Sequence, residues 1–237
     1  MRTYIIMLYY GFYMIFMAFR LLIIKILRKV RGNDIAESYK AKVVMKWSKY
    51  TLKVTGMSYK AFGKENIPDE SCLFVANHQS LFDIPVLIDA AAKPLGFIAK
   101  KELKKVPILH SWTKEINCVY IDRENVREAI KSINEGIQFL QQGISMAIFP
   151  EGTRAKDGKI KAFKKGSLKL ATKSGVPVVP VTIQGTYKAF ELNKKLQDTE
   201  VLIHFGKPIY PQSLDKEKQN NLSEIVKEEI IKYLSDS

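Results

Sequence analysis

The spacing of apolar positions divides the chain near Gly56. From Thr3 to Phe19 no charged side chain interrupts the sequence, and after Arg20 an apolar Leu-Leu-Ile-Ile runs on to Lys25. A full membrane span needs about 20 apolar residues, so this stretch has borderline length. It is too long and aromatic for a secretory leader, and no small-residue cleavage site follows it. Tyr4, Tyr9, Tyr10 and Tyr13 suit the headgroup level, where a ring keeps its hydroxyl wet. The turn Arg31-Gly32-Asn33-Asp34 leads to a second helical pattern between Lys40 and Val54. There Val43, Trp47, Tyr50 and Val54 recur at helical spacing, and Lys42, Lys46, Lys49 and Lys53 repeat it one residue earlier, about 100° around the helix. Aromatic rings bordered by lysines suit an interfacial helix, with rings among acyl chains and ammonium groups toward lipid phosphates. A core helix with a solvated lysine face gives the same stripe. The apolar helix just ahead favours the first reading. Residues 1–55 are expected to form a helical hairpin that dips into or spans the membrane, with Tyr9, Tyr10, Trp47, Lys42, Lys46 and Lys49 in contact with lipid.

Beyond Gly56 short runs rich in Val, Ile and Phe alternate with amphipathic stretches. The runs Tyr59–Phe62, Cys72–Ala76, Gly96–Ala99, Cys118–Ile121, Ser145–Phe149, Val178–Ile183 and Val201–Phe205 read as strands. Asp83–Ala92, Asn125–Gln141 and Lys164–Ser174 read as helices, and the mixed-charge tail from Asp215 as a solvated helix. Such alternation predicts an α/β domain over residues 56–237, a sheet flanked by helices.

Charge narrows the choice of partner. The chain of 237 residues carries a formal net charge of +14. Most of that excess lies in residues 1–60, and a second lysine cluster runs from Lys156 to Lys173. Such a balance implies an anionic partner: nucleic acid, anionic lipid or a phosphorylated substrate. The excess sits beside an apolar aromatic helix and not in a nucleic-acid module, so a nucleic-acid partner is ranked low and anionic membrane lipids are expected. Cys72 and Cys118 are the only cysteines and three histidines complete the inventory, so neither a disulfide framework nor a metal site is expected. A reducing, cytoplasm-facing location fits.

Four clusters carry candidate chemistry. Asn77-His78-Gln79-Ser80-Leu81-Phe82-Asp83 follows a strand and opens a helix, the position where α/β sheets hold ligands. His78 suits a general base that deprotonates a hydroxyl near neutral pH. Asp83 can return toward it, fix its tautomer and stabilise the imidazolium. Ser80 and Asp83 also satisfy a capping box, a purely structural role. Phe149-Pro150-Glu151-Gly152-Thr153-Arg154 again follows an apolar strand. Gly152 permits close backbone approach, Arg154 offers a planar fork for phosphate, and Glu151 could hold a substrate hydroxyl or orient a cation. An ordinary turn with a surface salt bridge competes with that reading. Arg123 closes the strand Val119–Ile121 and could grip phosphate, or be a plain surface arginine. Val176-Pro177-Val178-Val179-Pro180-Val181 brackets a strand with prolines, as an edge strand or a shaped pocket wall does.

In this order the four clusters resemble the motifs of the glycerophospholipid acyltransferases, most closely the lysophosphatidic acid acyltransferase branch, over roughly residues 56–210. The N-H-x-x-x-x-D block and F-P-E-G-T-R are jointly highly specific. The resemblance implies the mixed α/β fold of glycerol-3-phosphate acyltransferases. It implies His78 and Asp83 as the catalytic pair, Arg123 with Glu151, Gly152, Thr153 and Arg154 as the glycerol-phosphate site, and Val176, Pro177, Val178, Val179 and Pro180 at the acyl pocket. Lys105, in a basic stretch before Pro107, is a further candidate phosphate contact. The substrates expected from it are lysophosphatidic acid and a thioester donor, acyl-CoA or acyl-carrier protein, with no other cofactor. The expected setting is the inner membrane with the catalytic domain facing the cytoplasm. Glycerol phosphate or another lysolipid remains an alternative acceptor. Asn117 stands where the family often has glycine, and Ala155 where serine often follows F-P-E-G-T-R, which leaves the shape of the phosphate site open.

Overall fold

The computed structural model describes residues 1–122, 125–164 and 166–234. Helix α1 (Arg2–Arg31) and helix α2 (Asn33–Thr55) form a hairpin that turns at Gly32, whose φ of 91° lies in the left-handed region. Seven strands follow: β1 (Met57–Phe62), β2 (Leu73–Ala76), β3 (Gly96–Lys100), β4 (Val119–Ile121), β5 (Met146–Ile148), β6 (Val178–Gln184) and β7 (Thr199–Phe205). They form one sheet in the order β1-β7-β6-β2-β5-β3-β4. All neighbours pair in parallel except β6 with β7, so the sheet is mixed. The seven strand assignments from the sequence hold, with ends that differ by up to two residues.

The pleat of β2 divides the interior. Phe74 and Ala76 join a core with helix α3 (Asp83–Ala91) and the hairpin, whereas Leu73 and Val75 join a core with helix α5 (Val126–Gln141) and helix α6 (Lys169–Ser174). Successive strand residues point to opposite faces, and both faces are covered, so β2 is apolar throughout. Val86, Leu87 and Ile88 of α3 are fully buried. A helix that is apolar all round needs cover on two sides. The sheet supplies one and the hairpin the other, since Leu52, Val44 and Leu21 belong to the same core.

Several expectations are corrected. The C-terminal segment is not merely solvated: helix α7 (Lys216–Asn220) is exposed, but helix α8 (Leu222–Ile231) buries Leu222, Val226 and Ile230. The predicted helix Lys164–Ser174 contracts to α6, and helix α4 (Pro107–Glu115) was not foreseen. The valine strand is not an edge: β6 lies between β2 and β7. Pro180 is tolerated there because the N–H it lacks falls in a gap on the β7 side, between the Val178–Ile209 bridge and the ladder that begins at Val181–Phe205. Its carbonyl still accepts the Gly206 N–H at 2.8 Å.

The hairpin also differs from expectation. Tyr10 and Trp47 are half-buried and face each other across the helix seam, where the Trp47 Nε1–H donates to the Tyr10 hydroxyl at 2.9 Å and that hydroxyl lies 2.9 Å from Thr51 Oγ1. The aromatic stripe of α2 is therefore core-facing, and Tyr10 and Trp47 are withdrawn as lipid contacts. Lys42, Lys46 and Lys49 form the exposed lysine face. The outward apolar surface belongs to α1, where Tyr4, Leu8, Tyr9, Phe12, Phe19 and Val30 stay exposed. Among the described residues α1 is the one helix long and apolar enough to cross a membrane.

Candidate active site

Three adjacent parallel strands, β6, β2 and β5, end side by side, and the loops leaving them build the site. From β2 the chain runs to α3 on one face, and from β5 it returns to β6 through α6 on the other. The crevice where successive crossovers diverge is where open α/β sheets place ligands. Asn77 fastens two of the three ends: its Nδ2 donates to the Ile183 carbonyl and its Oδ1 accepts the Ile183 N–H, both at 2.8 Å. Gln79 Oε1 accepts the Gly185 N–H at 2.9 Å.

His78 follows directly. Its Nδ1 lies 2.7 Å from Asp83 Oδ2. Asp83 is fully buried at the first position of α3. The same Oδ2 accepts the backbone N–H of Gln79 at 2.7 Å and of Ser80 at 2.9 Å, while Oδ1 accepts the Thr186 hydroxyl. With donors on both oxygens the group acts as an acceptor-only carboxylate. His78 Nδ1 therefore carries the proton in that contact, and Nε2 is left as the basic nitrogen. Phe149 stacks on the imidazole with ring centroids 4.0 Å apart and planes 17° apart, which limits rotation of the ring. The capping box forms only in part. Asp83 takes the Ser80 N–H as expected, but the Ser80 hydroxyl donates to Glu191 Oε2 at 2.7 Å.

The loop after β5 is tied to the first by Glu151. Its Oε1 accepts the His78 N–H at 2.7 Å and its Oε2 the Lys161 N–H at 2.9 Å. Burial pushes this carboxyl above its ordinary value, offset in part by those two N–H groups and by the charges of His78 and Lys161. Glu151 is thus a brace between loops, not an open hydroxyl-binding group, because both oxygens are already engaged by backbone amides. Gly152 has a φ of 70°, a left-handed turn that favours glycine. Arg154 is partly exposed and its Nη1 donates to Glu191 Oε1 at 2.8 Å. Ala155 needs no hydroxyl where serine was the expectation: its N–H donates to the His78 carbonyl at 2.7 Å and its side chain is buried. Asn117 adopts a φ of 57°, a conformation that asparagine tolerates better than most residues after glycine.

The structure brings together His78, Asp83, Glu151, Gly152, Thr153 and Arg154. Arg123 lies outside the described residues. Lys105 is exposed at the end of the short 3-10 turn Lys101–Lys105. Val176, Pro177, Val178, Val179 and Pro180 are buried, with Val178 on one face of the sheet and Val179 on the other. They are packed core at the base of the site's third strand.

Sequence reasoning missed Thr186 and Glu191. Glu191 is almost fully buried and accepts the Ser80 hydroxyl, the Leu81 N–H at 3.1 Å and Arg154. Neither sits in a recognisable cluster. The usable signal was positional: both leave the C-terminal end of the strand beside β2, the same rim as His78.

Comparison with known proteins follows the same lines. A family model described as "Acyltransferase" matches residues 59–184. A probable 1-acyl-sn-glycerol-3-phosphate acyltransferase of Mycoplasma pneumoniae is 37% identical over 192 residues, which cover 76% of this chain and 72% of that protein. The 1-acyl-sn-glycerol-3-phosphate acyltransferase of Borreliella burgdorferi is 31% identical over 188 residues, covering 78% of this chain and 75% of its own length. The crystal structure of the 1-acyl-sn-glycerophosphate (LPA) acyltransferase PlsC from Thermotoga maritima is similar with a TM-score of 0.78 and 32% identity, covering 100% of this chain and 95% of that one.

Proposed function

The chain belongs to the acyltransferase family, and from that premise we propose that it transfers a fatty acyl group from a thioester, acyl-CoA or acyl-carrier protein, to the free sn-2 hydroxyl of lysophosphatidic acid. The observation that carries the reading is the 2.7 Å contact between His78 Nδ1 and Asp83 Oδ2 at the rim of the sheet.

In this reading His78 Nε2 takes the proton of the acceptor hydroxyl as its oxygen attacks the thioester carbonyl carbon. The carbonyl oxygen becomes an oxyanion. When the tetrahedral intermediate collapses, the carbon–sulfur bond breaks and the imidazolium returns its proton to the departing thiolate. The products are the new ester and a free thiol. Asp83 stabilises the imidazolium through the cycle, a charge interaction strengthened by its burial. General-base work of this kind contributes about 10²–10⁴ in rate. Arg154 has one nitrogen on Glu191, and we assign the rest of its fork to the acceptor's phosphate. Arg123 and Lys105 join it as further phosphate contacts, and the Thr153 and Arg154 loop supplies backbone donors nearby.

We further propose that α1 sits in the cytoplasmic leaflet of the inner membrane with its exposed apolar face among acyl chains and the catalytic domain in the cytoplasm. An acceptor that resides in the same leaflet then reaches the site without leaving the bilayer. The test is an acceptor panel. Protein in liposomes is offered lysophosphatidic acid, other lysolipids or glycerol phosphate with acyl-CoA or acyl-carrier protein, and thiol release is followed. Lysophosphatidic acid should dominate. A protein that acylates glycerol phosphate or a phosphate-free lysolipid equally well refutes the acceptor assignment.

A further inference from the structure

A cavity of the protein lies away from His78 and Arg154. It has a volume of about 630 Å³ and opens between the C-terminal half of α1, the start of α2 and helix α4. That volume is within the range of small-ligand sites, about 300–1,000 Å³. The charged residues in its wall are Lys25, Arg28, Glu37, Lys40, Lys114 and Glu115.

Their pairing leaves a definite residue of charge. Arg28 forms ion pairs with both Glu37 and Glu115, and Lys40 pairs with Glu37. Lys40 is almost fully buried, and its Nζ also donates to the Glu115 carbonyl at 3.2 Å. The two acids are therefore matched by Arg28 and Lys40. Lys25 and Lys114 have no ion pair among the described residues, and both are exposed at the cavity. His110 and Asn117 add uncharged polar groups to the same wall. The cavity is thus a net cation with a satisfied floor. Beside it on α1, Leu22, Ile26 and Val30 are exposed apolar residues.

We propose that this cavity holds the phosphate headgroup of an anionic phospholipid, as a second lipid site separate from the catalytic one. The inference rests on the membrane seating of α1 proposed above. An apolar helix face beside an unneutralised pair of lysines matches a lipid in both its parts: acyl chains follow Leu22, Ile26 and Val30, and the phosphate lies between Lys25 and Lys114. The site ties the far end of the hairpin to α4 through the lipid, so that membranes rich in acidic lipid bind the enzyme more tightly.

The full-length protein is tested by vesicle flotation. Pure phosphatidylcholine vesicles report seating of α1 alone, and vesicles containing phosphatidylglycerol report the anionic site. The pocket double variant K25Q/K114Q is compared with K46Q/K49Q, which removes the same charge from the exposed lysine face of α2. A lysine close to an anionic surface contributes about fivefold in partition through its charge alone. The pocket variant is expected to lose about tenfold more anionic binding than the control, with its binding to phosphatidylcholine and its activity in detergent unchanged. Equal losses in the two variants would overturn the proposal, because charge alone would then explain them. A wild-type melting temperature raised by soluble glycerol phosphate, with the rise lost in K25Q/K114Q and vesicle binding unaffected, would also overturn it, since the pocket would then bind a soluble phosphate. Failure of wild type on phosphatidylcholine alone would instead count against seating of α1.

Discussion

Asp83→Asn separates the charge of the proposed catalytic carboxylate from its geometry. Asp83 Oδ2 accepts His78 Nδ1–H and the N–H groups of Gln79 and Ser80, and Oδ1 accepts the Thr186 hydroxyl. An asparagine fits that set in one orientation. Its oxygen replaces Oδ2 and keeps three donors, and its amide replaces Oδ1 and donates to Thr186 Oγ1, whose hydroxyl turns away. The opposite orientation sets the amide against three donors and is excluded. The fold should therefore survive with a loss of less than about 2 kcal/mol. What disappears is the attraction between a carboxylate and the imidazolium formed during attack. With charge centres about 4 Å apart and an effective dielectric of about 20, that attraction is about 4 kcal/mol. At 1.36 kcal/mol per factor of ten, kcat should fall by about 10³. Thiol release from acyl-CoA in the presence of lysophosphatidic acid measures the rate, and a melting curve checks the fold. A variant that melts normally and keeps more than a tenth of wild-type kcat would refute the assignment of Asp83 as the partner of a catalytic His78.

Thr186→Val keeps the shape of the side chain but leaves Asp83 Oδ1 without its donor; it should cost about 1–3 kcal/mol of stability in a melting experiment and reduce kcat far less than Asp83→Asn. Glu191→Ala strips the acceptor from Ser80, Leu81 and Arg154; a melting temperature lower by about 4–8 °C for a loss of about 2 kcal/mol, with a raised KM for the phosphate-bearing acceptor, is expected, and an unchanged melting temperature would refute its role as a brace. Glu151 is raised above its ordinary 4.5 chiefly by burial, so its contribution to stability is fully present below the unfolded value and is lost as pH rises through the folded one; the melting temperature of wild type minus that of Glu151→Gln should shrink from mildly acid pH to neutrality, and growth of that difference would reverse the sign. Leu8→Glu with Phe12→Glu alters two exposed residues of α1; the melting temperature in detergent should hold while partition into phosphatidylcholine vesicles falls by more than tenfold, given about 1.5–3 kcal/mol for each buried apolar side chain.

Local chemistry made most of the fold legible. The alternation of short apolar runs made all seven strands legible because β-branched and aromatic residues suit a pleated, half-buried surface. The contact of His78 with Asp83 was legible because the two are five positions apart across one strand-to-helix turn. What could not be read depended on residues distant in sequence. Thr186 and Glu191 reach Asp83 and Ser80 from more than a hundred positions away. The aromatic stripe of α2 shows a related limit. Trp47 and Tyr50 look alike whether they face lipid or a neighbouring helix, since both surroundings are apolar. Only the packing of Tyr13 against Tyr50, with ring centroids 4.0 Å apart, and of Trp47 on Tyr10 decides it. The tail misled for a different reason: Leu222, Val226 and Ile230 lie on one face of α8 at helical spacing, but the mixed charges around them obscure the stripe.

The hairpin and the His78–Asp83 pair share one physical support. Asp83 opens α3, and α3 is buried on every side between the sheet and the hairpin. Removing residues 1–55 would strip α3 of the cover that the hairpin supplies, and each apolar side chain uncovered on that side costs about 1.5–3 kcal/mol. Even one such loss is a large share of the stability of an ordinary domain, about 5–15 kcal/mol. The carboxylate at the start of α3 could not then hold its four donors in place. The helices proposed to seat the protein in the leaflet are therefore the same ones that hold Asp83 rigid against His78. In this reading membrane attachment and the proposed catalytic geometry are two faces of one packed layer: the exposed apolar side of α1 is the one proposed to meet lipid, and the inward side of α2 covers α3.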